Sequence, residues 1–227
     1  MDKKFLSDTV LFRGMKAGEV ESLLECLKVK KHHYKKGEVI FRAGQTTTSM
    51  GLVLSGVVSV EIDDVWGNKN IWAHASAGQV FGETYACLPG EPMLVSAVAA
   101  EDVELMFLNV GRLLKMCPQN CPYHGKLIQN LLAIASQKNI SLSRRMTHLA
   151  ARSIRGRVSS YLSFEAVQRG SREFTIPYNR QQLADYLNVD RSALSNELSK
   201  MQKEGLLRTE KNYFCLSEEA VLDHLFS

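Results

Sequence analysis

The chain has 227 residues, 45% of them hydrophobic and 23% charged, with a formal net charge of +4. That is the make-up of a globular chain of one or two domains; no apolar run approaches the roughly 18 residues that cross a bilayer, and the opening Met-Asp-Lys-Lys-Phe-Leu-Ser lacks a signal-peptide core, so a cytoplasmic protein without membrane contact is expected. Five cysteines, an odd number at irregular spacing, argue against a disulfide framework.

Residues 17–28, with Val20, Leu23, Leu24 and Leu27 on one face, predict an amphipathic helix. From about Val29 to Leu108 glycines recur at 37, 44, 51, 56, 67, 78, 82 and 90, with β-rich runs between them. Val39–Phe41, Gly51–Leu54, Val57–Ile62, Ile71–Ala73, Val95–Ala99 and Glu104–Leu108 read as strands. Many short strands between glycine turns indicate an antiparallel barrel or jelly roll.

Cys117-Pro-Gln-Asn-Cys121-Pro-Tyr-His124 is a cluster with metal-ligand character. Pro118 and Pro122 interrupt any helix there, and three candidate ligands are one short of a closed zinc site. The cluster fits a sensor of metal or oxidants, or small buried cysteines beside a histidine at a helix start. No bound metal and no cofactor is predicted. From Tyr123 to about Arg144 one long helix follows. Ile128, Leu131, Ala135, Lys138 and Leu142 recur at steps of three and four, the spacing of a coiled-coil seam. Lys138 is unexpected in a seam, and Leu127, Leu132 and Ile134 could share the contact. Packing of the same stripe on the preceding β domain is the competing reading.

The segment Asn179 to Leu206 reads as two short helices joined by a tight turn. Asn179 is a good N-cap, with Gln182 placed to complete a capping box. Leu183, Ala184 and Leu187 share a face, and Asn188 tolerates the left-handed conformation that ends a helix sharply. Val189 can plug the corner, and Asp190 is a second N-cap. Leu194, Leu198 and Met201 give the second helix an apolar face opposite Arg191, Ser192, Ser195, Asn196 and Lys200, all able to donate hydrogen bonds. Gly205 stops it, and Leu207 to Leu216 looks like a small hairpin around Lys211-Asn212. A helix-turn-helix with a wing suits this pattern, and a plain helical hairpin with a solvated face also fits. Charge favours the first. Residues 1–110 carry 11 Lys and Arg against 14 Asp and Glu, a net of −3, whereas residues 111–227 carry 17 against 10, a net of +7. The positive excess lies where phosphates need it.

Three separated motifs then resemble a known family. Lys36-Gly37-Glu38-Val39-Ile40-Phe41 with Gly44, Val53-Leu54-Ser55-Gly56-Val57-Val58-Ser59-Val60, and Gly78-Gln79-Val80-Phe81-Gly82-Glu83 are similar to the cyclic-nucleotide-binding β-roll. The order β-roll, long helix, winged helix-turn-helix resembles the Crp/Fnr family of bacterial transcription regulators. The resemblance implies an α+β chain: a β-roll sensor domain with an N-terminal helix over 1–110, a dimerisation helix and hinge over 111–146, and a winged helix-turn-helix domain over 147–227. It implies a homodimer formed through the long helix, a hinge at Ser143-Arg144-Arg145-Met146-Thr147, and a palindromic double-stranded DNA operator. RNA polymerase is a further partner if the protein activates. By match to the family's recognition helix, Arg191, Ser192, Ser195 and Asn196 face base edges, while Arg180, Ser199, Lys200, Tyr178 and Thr175 are expected at phosphates. Arg152, Arg155 and Arg157 are candidates for phosphate contact or for a solvated helix face.

The family's ligand cassette places the effector pocket at Gly82, Glu83, Thr84, Met93, Leu94 and Val95. In members that bind cAMP, an Arg-Ser pair follows Gly-Glu by about ten residues, and the arginine neutralises the cyclic phosphate. Here Met93 and Leu94 stand at those positions. A buried phosphate without a cation is strongly disfavoured, so tight cAMP binding is not expected. The effector, if there is one, is an unknown small molecule. The cysteine cluster that holds iron–sulfur in oxygen-sensing members is absent, with Cys26 alone in that region. Nothing favours an enzyme, since no nucleophile elbow, phosphate loop or HExxH helix occurs. A pure ligand-binding module would leave the capped helix pair and the basic half unexplained.

Overall fold

The computed structural model describes residues 3–63, 69–114 and 123–218. The chain divides into two compact units, Met1–Gln137 and Lys138–Ser227.

The first unit opens with helices α1 (Lys3–Asp8) and α2 (Ala17–Leu27), and α2 buries Val20, Leu23, Leu24 and Leu27, the expected face. The strands follow in order: β1 (Lys30–Tyr34), β2 (Val39–Phe41), β3 (Ser49–Ser55), β4 (Val57–Asp63), β5 (Lys69–Ser76) and β6 (Val80–Phe81). A short helix α3 (Glu83–Ala86) precedes β7 (Ser96–Ala99) and β8 (Val103–Asn109), and α4 (Val110–Leu114) leads toward the long helix α5 (Tyr123–Leu149). All pairings are antiparallel, in two four-stranded sheets ordered β1-β8-β3-β6 and β2-β7-β4-β5. This is the expected jelly-roll type of β-roll.

Strand alternation separates two cores. Val53 of β3 and Val103 and Leu105 of β8 pack with Val58, Ala97 and Ala99 of the other sheet. The intervening residues, Met50 and Leu52 of β3 with Met106 and Leu108 of β8, turn instead to α1, α2 and the start of α5. A sheet buried on both faces needs consecutive apolar residues, which β3 supplies at Leu52–Leu54 and β8 at Leu105–Leu108. Gly56, between β3 and β4, is required for a different reason. Its φ is +83°, and a Cβ there would lie 2.5 Å from the Asp102 carbonyl oxygen.

The second unit holds the last turns of α5, then α6 (Ile154–Arg169), β9 (Glu173–Thr175), α7 (Arg180–Leu187), α8 (Arg191–Lys203), β10 (Leu207–Glu210) and β11 (Tyr213–Leu216). Its sheet is ordered β10-β11-β9, so the predicted hairpin gains a third strand. Leu162, Phe174, Leu183, Leu187, Leu194 and Phe214 centre its core.

Two features of α5 bear on the sequence reading. The segment 143–147, expected as the hinge, is helical, and α5 continues to Leu149 before the chain bends into the Ser153 N-cap of α6. Nothing there breaks a helix: no glycine or proline occurs, and Thr147 Oγ1 donates back to the Ser143 carbonyl at 3.1 Å. One residue of the expected seam is covered within its own chain. Leu131 is only 6% exposed and packs, with Leu127 and the half-buried Ile128 and Ile134, in the core of its own chain. Among the described residues no helix is long and apolar enough to cross a membrane.

Candidate nucleic-acid interface

The local chemistry of α7 and α8 follows the sequence signals. Asn179 Oδ1 accepts from the Gln182 amide at 2.9 Å, and Gln182 Oε1 accepts from the Asn179 amide at 2.9 Å. Asn188 ends α7 in the left-handed region at φ 51°. Asp190 Oδ1 then accepts from the Ser192 and Ala193 amides at 2.8 and 3.0 Å, capping α8. The Ser192 hydroxyl, together with those amides, holds the Asp190 carboxyl below the usual carboxylate range. Three residues therefore separate two capped helices, and the start of α8 is fixed to the end of α7.

Leu194, Leu198 and Met201 anchor α8 in the core, leaving the opposite face outward. On that face Arg191, Ser192, Asn196, Ser199 and Lys200 are exposed and Ser195 is half-buried. Among the described residues the side chains of Arg191 and Asn196 have no protein partner, and Lys200 Nζ lies 4.0 Å from Glu197 Oε2. Lys203, not singled out above, lies on the same face, seven residues after Asn196. Ser195 Oγ donates to the Arg191 carbonyl and Ser199 Oγ to the Ser195 carbonyl, each at 2.9 Å, while Ser192 Oγ donates to Asp190 Oδ1. Their hydrogens are engaged inside the helix.

The residues expected at phosphates fall in mixed settings. Thr175 is exposed on β9, and its carbonyl accepts from Arg169 Nη1 at 2.8 Å. Tyr178 is half-buried, with its ring 5.1 Å from that of Tyr186, and burial raises its pKa. Arg180 is half-buried too: its guanidinium sits 5.8 Å above the Phe214 ring, Nη2 donates to the Lys211 carbonyl at 3.3 Å, and desolvation lowers its pKa. It braces the wing turn. Lys211 and Arg208 on the wing are exposed cations without side-chain partners among the described residues.

Arg155 and Arg157, candidates for phosphate contact, are both hydrogen-bonded within the unit. Arg155 forks onto Glu204, Nη1 to Oε2 at 2.7 Å and Nη2 to Oε1 at 2.9 Å, while its Nε donates to Glu197 Oε1 at 2.6 Å. The Glu204 carboxylate foremost, then Glu197, raises its pKa, and Glu204 is lowered in return. The pairing offsets part of the negative charge of Glu197 on α8 and of its C-cap Glu204, which would repel a polyanion. Arg157 donates to backbone carbonyls of Ala151, Leu187 and Asn188. Arg152 is exposed ahead of α6.

In the β-roll, Gly82 adopts φ +71° as the N-cap of α3, and a Cβ there would come 2.9 Å from Phe41 Cε2. The Phe41 ring therefore fills the space beside the glycine. It packs 5.7 Å from Phe81 and 5.6 Å from Phe107, ring centre to ring centre. Glu83, Met93 and Val95 are buried, whereas Thr84 and Leu94 are exposed. The Leu94 amide donates to Tyr85 Oη at 3.1 Å. Cys117 and Cys121 lie outside the described residues. His124 is buried at the start of α5, with neither ring nitrogen hydrogen-bonded, and among the described residues no cluster of His, Cys, Asp and Glu could hold a metal.

Comparison with known proteins agrees with this architecture. A cyclic nucleotide-binding domain model matches residues 31–120, and a Crp-like helix-turn-helix domain model matches residues 156–225. The chain is 25% identical over 218 residues to the cyclic AMP receptor protein of Thermus thermophilus, covering 95% of each. It is 24% identical over 217 residues to electron transport regulator A of Shewanella oneidensis, covering 93% of this chain and 84% of that one. The crystal structure of the Thermus thermophilus catabolite activator protein, 25% identical, matches with a TM-score of 0.51 over 96% of this chain and 98% of that one. With a cyclic-nucleotide-binding type of β-roll joined to a Crp-like helix-turn-helix, the chain belongs to the Crp/Fnr family of DNA-binding transcription regulators.

Proposed function

We propose that the protein works in the cytoplasm as a homodimer that reads a two-fold symmetric operator with α8 and is controlled by a signal received in the β-roll. The observation that carries this reading is the outward face of α8. It offers the unpartnered Arg191 and Asn196 with Lys200 and Lys203, while its apolar face is buried. Arg191 suits bidentate donation to guanine and Asn196 suits adenine. Thr175, Tyr178, Arg180, Arg208 and Lys211 border that face in the reading, toward the phosphates. If the protein activates, RNA polymerase is its further partner.

A seam for the second copy is available on α5, one position from the expected register. Leu132, Leu142 and Met146 are 66%, 61% and 72% exposed. With Ala135 and Asn139 they follow steps of three and four, as a coiled coil requires. Ala135 and Leu142 thus remain in the seam, while Leu131 is replaced by Leu132 and Lys138 by Asn139. Two copies of α8 related by this axis would enter successive major grooves roughly 34–36 Å apart. The test is binding to a duplex that the protein selects from a random pool. Two chains per duplex and a steep decline of affinity with salt are expected. One chain per duplex, or no salt dependence, refutes the reading.

The relative from Thermus thermophilus is named for cyclic AMP, but we infer a different effector here. Met93 and Leu94 offer no cation, and the Phe41 ring occupies the space against Gly82. A buried phosphate there would keep its full desolvation penalty. Calorimetry with cAMP is expected to give no binding in the micromolar range, and micromolar or tighter affinity would overturn the inference.

A further inference from the structure

The end of α7 is held in an uncommon way. A helix leaves its last four carbonyls without intrahelical partners. Here the Asp185 carbonyl accepts from Arg145 Nη2 and the Tyr186 carbonyl from Arg145 Nε, both at 2.9 Å. The next two, Leu187 and Asn188, accept from Arg157 Nη1 at 3.1 and 2.9 Å. Two guanidinium groups thus meet four consecutive carbonyls at the negative end of the helix. Arg145 comes from the last turns of α5 and Arg157 from the first turn of α6.

Arg145 is further fixed by its surroundings. Its Cζ lies 5.5 Å from the centre of the Tyr186 ring. His148, less than one turn on, packs 6.1 Å from the same ring and 5.6 Å from Tyr161, with Nδ1 3.0 Å from Ser160 Oγ. The planar fork of Arg145 spans two adjacent carbonyls, which a lysine ammonium would not do. Only four residues, Leu187 to Asp190, separate the Tyr186 carbonyl from Arg191, the first residue of α8.

We propose that Arg145 is a positioning residue for DNA binding: it ties the end of α7, and through the three-residue turn the start of α8, to the last turns of α5. A displacement of that part of α5 then carries the recognition helix with it, rather than being absorbed between α5 and α6. The proposal rests on α8 being the DNA-reading element. It separates Arg145 from the arginines of the phosphate-binding kind, because its Nε and Nη2 donors are engaged on the backbone of its own chain.

The experiment compares full-length wild type, Arg145→Ala and Arg145→Lys for binding to a duplex selected by the wild type, across a range of salt. Amide hydrogen exchange over residues 183–190 is measured alongside in the free proteins. Arg145→Ala is expected to bind about ten-fold more weakly, the scale of one charge-assisted hydrogen bond, with an unchanged salt slope and faster exchange in that segment. Arg145→Lys keeps the charge and is expected to remain several-fold weaker, again with an unchanged slope. A slope reduced by about 0.9 in Arg145→Ala and restored in Arg145→Lys would mark a phosphate contact and overturn the proposal. A lowered melting temperature with wild-type affinity below it would mark a merely structural residue and overturn it too. Where Arg145→Ala fails to fold, Arg145→Lys decides by the same criteria. If the wild type selects no duplex, the DNA-reading assignment of α8 fails on its own, and the exchange rates still decide whether Arg145 holds the turn.

Discussion

Replacing Leu194 with alanine is expected to destabilise the second unit by about 2–5 kcal/mol, the range for removing a large aliphatic side chain from a packed core. Leu194 is fully buried, and it sits on the inward face of α8 between Leu198 and the α7 residues Leu183 and Leu187. Its loss leaves a cavity that two capped helices cannot close without shifting the turn between them. Domains of this size have roughly 5–15 kcal/mol of stability in total, so much of the margin disappears. Urea denaturation of the full chain, followed by circular dichroism and by tryptophan fluorescence, which comes from Trp66 and Trp72 of the first unit, reads this out. The transition of the second unit should move to lower urea while that of the roll stays. A mutant with the wild-type midpoint would show that α8 is not seated through Leu194.

The other large effect is on recognition. Arg191→Ala is expected to cost about 1–3 kcal/mol of operator affinity, roughly 5- to 150-fold, with the loss concentrated at one base pair. Arg191 opens α8, is exposed, and has no side-chain partner among the described residues. Its removal disturbs no side-chain contact of the fold, unlike that of Arg155, whose loss would strip Glu197 and Glu204 of their shared guanidinium partner. Competition among duplexes changed one base pair at a time measures the effect. Unchanged affinity and unchanged preference at every position would remove Arg191 from the reading face.

The features legible in the sequence are those fixed by local rules. The caps at Asn179 and Asp190, the left-handed Asn188 and the α2 stripe each depend on residues within one or two turns. The features that were not legible depend on partners distant in the chain. β1 is Lys-Lys-His-His-Tyr, without an apolar period, and it is a strand because β8 pairs with it and Glu104 meets Lys31 at 2.7 Å. The α5 register could not be fixed from a helix with leucines at 127, 131, 132 and 142, because only the position of the β-roll says which of them are covered. Arg155 and Arg157 carry the same charge and spacing as phosphate contacts, and only the tertiary fold brings Glu204 and the α7 carbonyls to them. Lys203 was within reach of helical spacing alone, one turn past Ser199.

The inward-turned hydroxyls of α8 bear on which partners this helix prefers. With their protons directed at the turn before them, Ser195 and Ser199 offer only lone pairs to an approaching duplex. Backbone anions, which are pure acceptors, gain nothing from such groups. The exocyclic amines of adenine and cytosine do, since both project hydrogens into the wide groove. In the proposed reading, the middle of α8 would therefore favour base pairs presenting an amino group at these two serines, a selectivity set by the helix's own internal bonding.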